Sequence, residues 1–277
     1  MPDTSATITI GDYTITTFSD GIFTTSVDLM IGADKETIQR ISGKKLDEPV
    51  KLSVNAFLVE GRGVRALVDA GTSDTLGPDM GFLPENLRKA GKPPESITHV
   101  LLTHIHPDHS NGLIDSTGAP SFPNAEVVVQ EDEIKFWVDR DLSQGANDRV
   151  RWNMGNAKKA FAPYAKQITR IGDGEFMPGI IAMKSPGHTP GHTCWTIEGG
   201  GKSLMIWGDT VHMSFLQLER PECAWGYDFD PAMSVRSRIA VLDQVSADAT
   251  RIAGMHLDFP GFGFIKKRAG RYFIEEE

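Results

Sequence analysis

Three histidines and an aspartate fall within six residues in His104-x-His106-x-Asp108-His109, directly after the apolar run 97–103. Imidazole nitrogen and carboxylate oxygen are the ligand types of zinc and other borderline divalent metals, and a strand exit lets several such side chains turn toward one point. Pro107 is suited to end the extended run and open a helix whose first turn carries Asp108 and His109. Two ions need more ligands than one such segment offers, and three further candidates stand just past apolar runs. They are His188, inside the turn Ser185-Pro186-Gly187-His188-Thr189-Pro190-Gly191-His192, Asp209 after 204–208, and His256 after 252–255. Loops that leave strands are where sites of this kind are built.

The elements that must carry these side chains are readable in outline. Residues 7–10 and 13–18 alternate β-branched and aromatic residues around Gly11-Asp12, which predicts a hairpin. Residues 53–59 and 64–69 predict a second hairpin, 84–90 a helix stopped by Gly91, and 97–103 and 126–130 two more strands. Helices are expected over 131–140, 151–165 and 234–245, the last with Val235, Ile239, Leu242 and Val245 on one face. Strands are expected at 180–184, 194–198, 203–207 and 251–255, while 26–49 reads as irregular, with a short helix near 35–42. Antiparallel strand pairs with helices between them argue for layered sheets covered by helices, an α+β arrangement. With no repeat and no linker, one domain over 1–277 is expected, with an N-terminal extension at about 1–50.

Composition narrows the partners. Of 277 residues, 28 are Lys or Arg and 37 are Asp or Glu, and the net charge of −9 disfavours nucleic acid and anionic membrane. No stretch approaches the ~18 apolar residues of a membrane span, and no signal-peptide pattern opens the chain, so a cytoplasmic protein is expected. The 2 cysteines, Cys194 and Cys223, read as small buried apolar residues.

Taken together, the segment 103–109, the Pro-Gly-His-Thr-Pro-Gly-His turn, Gly208-Asp209-Thr210 and the late His256 resemble the motif series of the metallo-β-lactamase superfamily over about residues 50–260. The resemblance implies a four-layer αβ/βα sandwich. It also implies one ion held by His104, His106 and His188, a second by Asp108, His109 and His256, and Asp209 bridging both. The ions would be zinc first, with iron, manganese or cobalt as other occupants. Asp209 stands where the true β-lactamases place cysteine or serine, which argues against antibiotic hydrolysis. The stretches 54–59 and 256–263 are similar to the methyl parathion hydrolase branch of phosphotriesterases, aryl esterases and lactonases. Lactonases of a neighbouring branch carry a tyrosine shortly after the bridging aspartate, whereas here the third residue on is His212.

The resemblance therefore implies a dinuclear hydrolase of small apolar esters or lactones, with phosphotriesters as a related substrate, acting through metal-bound hydroxide. Asp108 is then the expected proton acceptor, and a homodimer is the expected assembly. By position in that branch Trp137 and Trp225 would wall the substrate pocket, and His212 is expected to line it. His192 and Asp69 read as partners of ligand side chains, Asp69 equally as a turn cap, and His99 as a histidine of the core or edge. Lys266-Lys267-Arg268 reads as a solvated turn and Glu275-Glu276-Glu277 as a solvated tail. A glyoxalase II-like thioesterase and a di-iron redox protein on the same fold are the competing readings.

Overall fold

A computed structural model describes residues 5–141 and 147–275. Two seven-stranded mixed sheets lie face to face. In the first, the strands run in the order Ser5–Ile10, Tyr13–Ser26, Pro49–Gly61, Val64–Val68, His99–Leu101, Glu126–Gln130 and Ile168–Ile171. In the second, the order is Arg271–Glu275, Phe262–Arg268, Arg251–Ala253, Lys202–Ile206, Thr193–Gly199, Ile180–Lys184 and Gly174–Met177.

Side chains alternate across a strand, and here both faces of each sheet are apolar. Phe57, Val59, Val68, Leu101 and Val128 point inward and meet Ile180, Trp195, Ile197, Leu204 and Ile206 of the second sheet. Their neighbours Leu58, Leu67, Val100, Val127 and Val129 point outward and are covered by the helices Leu83–Lys89 and Asp148–Phe161. On the opposite side Met205, Ile252 and Ile265 are covered by Val241, Leu242 and Val245 of helix Pro231–Ala247. The layers are helix, sheet, sheet and helix, the sandwich that the motifs implied. Helix Asp148–Phe161 starts at Asn147, whose side chain accepts from the Val150 amide. Helix Pro231–Ala247 starts at Asp230, which caps Met233 N, with proline next as the first helical residue.

Several expectations are corrected. Parallel pairing joins Val64–Val68, His99–Leu101, Glu126–Gln130 and Ile168–Ile171 in turn, and Lys202–Ile206 pairs parallel to Arg251–Ala253, so antiparallel hairpins are only part of the design. The expected N-terminal extension supplies Tyr13–Ser26, which pairs from Thr14 to Ser26 with Pro49–Gly61 inside the first sheet, with a register shift at Asp20. Only Glu131–Glu133 of the expected helix 131–140 is α-helical, and Ile134–Asp139 opens into a wider π coil. Lys266, Lys267 and Arg268 are no turn; they belong to Phe262–Arg268, which pairs with Arg271–Glu275. Glu275 closes that hairpin, and Glu276 and Glu277 lie outside the described residues.

Away from the histidine motifs, Asp20 is fully buried and accepts from the amides of Thr72, Gly81 and Leu83 and from the Thr72 hydroxyl. It ties the bend after Val64–Val68 to the start of helix Leu83–Lys89. Gly71 packs against it so closely that a Cβ there would stand 2.6 Å from the carboxylate.

Candidate metal centre

All the motif side chains come from one end of the sandwich. His104 to His109 follow strand His99–Leu101, Asp209 follows Lys202–Ile206 and His256 follows Arg251–Ala253, each at the carboxyl end of a parallel strand. His188 lies in the turn between Ile180–Lys184 and Thr193–Gly199, which closes at the same end. Strand exits thus bring residues from 104 to 256 within reach of one point.

Asp209 sits in the middle, and its two oxygens face different partners. Oδ2 is 3.2 Å from His188 Nε2 and 3.6 Å from His104 Nε2, while His106 Nδ1 lies 3.0 Å from His188 Nε2. Oδ1 is 3.2 Å from His109 Nε2 and 3.3 Å from His256 Nε2. Asp108 Oδ2 completes the second group, 3.4 Å from each of those nitrogens. Ligands about 2.0–2.1 Å from one tetrahedral ion stand about 3.3–3.4 Å apart, so these are the separations of ligands around a shared centre. His104 Nε2, His109 Nε2 and Asp209 Oδ1 are moreover buried without any hydrogen-bond partner. Unpaired polar atoms in a protein interior cost about 1–3 kcal/mol each, and converging ones of this chemistry fit a divalent cation.

The charges point the same way. Burial alone would raise both Asp108 and Asp209, yet the surrounding imidazoles, His109 foremost, hold them well below the usual carboxylate range. Burial likewise opposes charging His188 and His256, but their carboxylate partners outweigh it, lifting His188 to about 9 and His256 to about 10. The cluster keeps its carboxylates ionised and draws positive charge to them.

The far nitrogens of the same rings are fixed. His109 Nδ1 is 2.6 Å from Asp69 Oδ2, His188 Nδ1 is 2.8 Å from Asp228 Oδ1, and His256 Nδ1 is 2.9 Å from Ser53 O. Such partners set the ring orientation and the tautomer of a ligand histidine. Asp69 also accepts from the amide and hydroxyl of Thr103, so it both holds the turn and orients His109. His192 Nε2 accepts from the Asp209 amide at 2.9 Å while its Nδ1 lies 3.0 Å from Ser185 O. Gly208 is needed beside it, because a Cβ there would stand 2.5 Å from His192 Nε2. Asp228 carried no sequence signal: no motif marks it, and it reaches His188 only through the turn before helix Pro231–Ala247.

These motifs have counterparts elsewhere. The family model of the metallo-beta-lactamase superfamily matches residues 50–256. The chain belongs to that superfamily. Among curated relatives it is 28% identical over 181 residues to the uncharacterized protein YobT of Bacillus subtilis, covering 65% of this chain and 72% of that one. It is also 28% identical over 151 residues to an N-acyl homoserine lactonase of Bacillus thuringiensis, covering 54% of this chain and 52% of the lactonase. The chain thus spans about half the length of the curated lactonases it matches. Of solved structures, the hydrolase AbOPH superposes with a TM-score of 0.93 at 30% identity, covering 99% of this chain and 97% of its own. AidC, a dizinc quorum-quenching lactonase, superposes with a TM-score of 0.91 at 24% identity over 99% and 97% of the two chains, which is a likeness of fold.

This superfamily member has a cleft over the cluster, about 850 Å³ including its opening. Trp137, Trp225 and His212 all line it. Trp137 meets His106 edge-on at 5.4 Å, and Trp225 stacks on His212 at 5.2 Å. His212 Nε2 lies 2.9 Å from Asp209 Oδ2, and burial brings His212 down to about 4, so a neutral ring donates there. Phe23, Leu76, Val150, Trp152 and Phe229 add apolar walls, and among the described residues Arg149 is the one lysine or arginine in the lining. Among the described residues no helix is long and apolar enough to cross a membrane.

Proposed function

We propose that this chain is a two-metal hydrolase of small apolar esters or lactones, with phosphotriesters as a related substrate. The observation that carries this reading is Asp209, set between two nitrogen groups with one oxygen toward each, at the floor of an aromatic cleft. His104, His106 and His188 would hold one divalent ion, Asp108, His109 and His256 the other, and Asp209 would serve both. Bound there, such ions supply a water acidified toward neutral pH and a Lewis acid for the scissile carbonyl or phosphoryl oxygen.

The chain's own groups do the rest. Asp108 Oδ2 is turned to His109 and His256, which leaves Oδ1 to accept a proton and return it to the leaving group. Trp137, Trp225 and the apolar walls exclude water and favour acyl or aryl groups over charged ones. The lactonase relatives support a lactone among the substrates, an N-acyl homoserine lactone being one to test.

A glutathione thioesterase would need cations for the substrate carboxylates. Lys266 and Lys267 pair with Glu275 and Asp243 at the sheet edge, and neither lines the cleft. Zinc is the proposed metal and a homodimer the proposed assembly, to be read by metal analysis and sedimentation. The deciding experiment purifies the chain without added metal, measures metal content, and assays an aryl ester, an acylated γ-lactone, an aryl phosphotriester and a glutathione thioester. About two ions per chain with ester or lactone turnover is expected. Stoichiometric iron with no hydrolysis, or full turnover after chelation has removed all metal, overturns the reading.

A further inference from the structure

Glu133 is fully buried and takes no part in the chemistry above. It ends the helical turn Glu131–Glu133, just past strand Glu126–Gln130. Its Oε2 accepts from the amide of Ile105 at 2.8 Å, and its Oε1 from the amide of Gly191 at 2.6 Å. Ile105 lies between His104 and His106, and Gly191 lies between His188 and His192. One carboxylate therefore grips, with one oxygen each, the two loops that carry every histidine assigned to the first ion. We propose that Glu133 is the positioning residue of that ion site, setting the distance between the His104/His106 pair and His188. The proposal rests on the two-metal reading of the cluster.

The need for such a device follows from the architecture. The two loops leave different sheets, and the sheets meet through apolar side chains. Hydrophobic burial holds two faces together without direction, so by itself it leaves the offset between their edges loosely specified. A metal site requires ligand distances within about 0.2 Å of their ideal values. Directional bonds across the sheet edges supply that, and Thr193 N to Thr103 O, at 2.8 Å, is another one deeper in the same seam. Glu133 sits closer to the ligands and reaches both loops from a third element.

Two further observations fit this role. Both oxygens of Glu133 face amide N–H groups, an arrangement for an acceptor-only carboxylate and not for an acid or an amide. Gly191 lies so close that a Cβ would stand 2.8 Å from Glu133 N and 3.0 Å from its Cγ. Loop and carboxylate are thus packed with no slack between them. The π coil that follows Glu133 carries Trp137 against His106, so the same element also braces the cleft wall.

Glu133→Gln is the principal test. Its amide keeps one acceptor but turns an N–H toward the other loop. The readouts are stepwise zinc binding against a competing chelator, the visible spectrum of the cobalt-loaded protein, and circular dichroism for the fold. Partners of ligand histidines are typically worth 10- to 100-fold in metal affinity. Glu133→Gln is expected to weaken the first ion by about that factor, leave the second bound and change the cobalt spectrum, with Glu133→Ala larger still. Gly191→Ala, which presses a methyl group into the contact, is the variant to use if the Glu133 variants do not fold, and it is expected to act in the same direction. Asp20→Asn alters a buried carboxylate that bonds Thr72, Gly81 and Leu83 and neither of these loops, and it controls for lost stability. Wild-type affinity and cobalt spectrum in the folded variants would overturn the proposal, as would an equal metal loss in Asp20→Asn. A wild-type chain that binds no ions would instead overturn the metal reading itself.

Discussion

Asp20, at a register shift inside strand Tyr13–Ser26, and Asp209, just past strand Lys202–Ile206, are both buried carboxylates, and they sit in opposite electrostatic company. Asp20 is ringed by four neutral donors, three amides and a hydroxyl. Burial outweighs them and pushes it up to about 6. Asp209 has one oxygen with no hydrogen bond at all, and imidazoles on both sides hold it well below its usual range against the same burial. Neutral donors satisfy a carboxylate without neutralising it, whereas Asp209 keeps one oxygen free of any hydrogen-bond donor, in reach of a cation. The first arrangement holds loops together, and the second is a place for a ligand.

Removing each in turn tests that contrast. Asp209→Ala should have the largest effect, because it deletes an oxygen from both groups at once. Activity should fall by about a thousandfold or more, and bound metal should drop below two per chain, on the scale of losing a principal electrostatic catalyst. Metal analysis beside the ester and lactone assays checks this. An Asp209→Ala protein with full metal and normal turnover would mean that Asp209 is another Asp20.

Asp228 lies between the two extremes. Burial would raise it, but His188 brings it down to about 2, and it also accepts from the Trp225 amide. Asp228→Asn keeps the shape and removes the charge that orients His188. A loss of about 10- to 100-fold in zinc affinity is expected, with a smaller loss of stability. Chelator competition and thermal melting on the same sample separate the two.

How much of this the sequence showed follows the same division. His104, His106, Asp108 and His109 were legible because they are contiguous, and His188, Asp209 and His256 because each stands at a strand exit in a recognisable motif. Asp228 and Glu133 were not. Each is an acidic residue outside any motif, whose meaning comes from a partner 28 to 58 positions away, fixed by tertiary packing. The strands 168–171 and 174–177 escaped notice because none of their residues is fully buried, so their apolar alternation is weak. Lys266, Lys267 and Arg268 read as a turn because that end of the strand pairs on one side only, with Arg271–Glu275, and exposes charge where a central strand buries apolar groups.

Asp20→Asn sharpens the contrast from the structural side. The amide would turn an N–H toward donors that now meet a carboxylate, leaving buried groups unpaired at about 1–3 kcal/mol. Stability should fall by that amount in denaturant titrations, while the folded fraction keeps its metal and turns over within a few-fold of wild type. A selective loss of metal would erase the distinction between the two aspartates.

Asp243 gives the smallest effect and the clearest pH dependence. It receives Lys267 Nζ and the Tyr272 hydroxyl, joining helix Pro231–Ala247 to the C-terminal hairpin from a half-exposed position. Those two bonds lower its pKa, and burial opposes them only weakly. A carboxylate lowered on folding stabilises the protein above its unfolded pKa of about 3.9, and that contribution is lost as pH falls through the lowered value. Exposure and salt limit it to about 1 kcal/mol or less. Asp243→Asn should therefore cost up to that much at pH 7 in low salt, and little at about pH 2 or in molar salt. A cost that persists unchanged in acid would place its worth in the Tyr272 hydrogen bond rather than in its charge, and so move Asp243 to the side of Asp20.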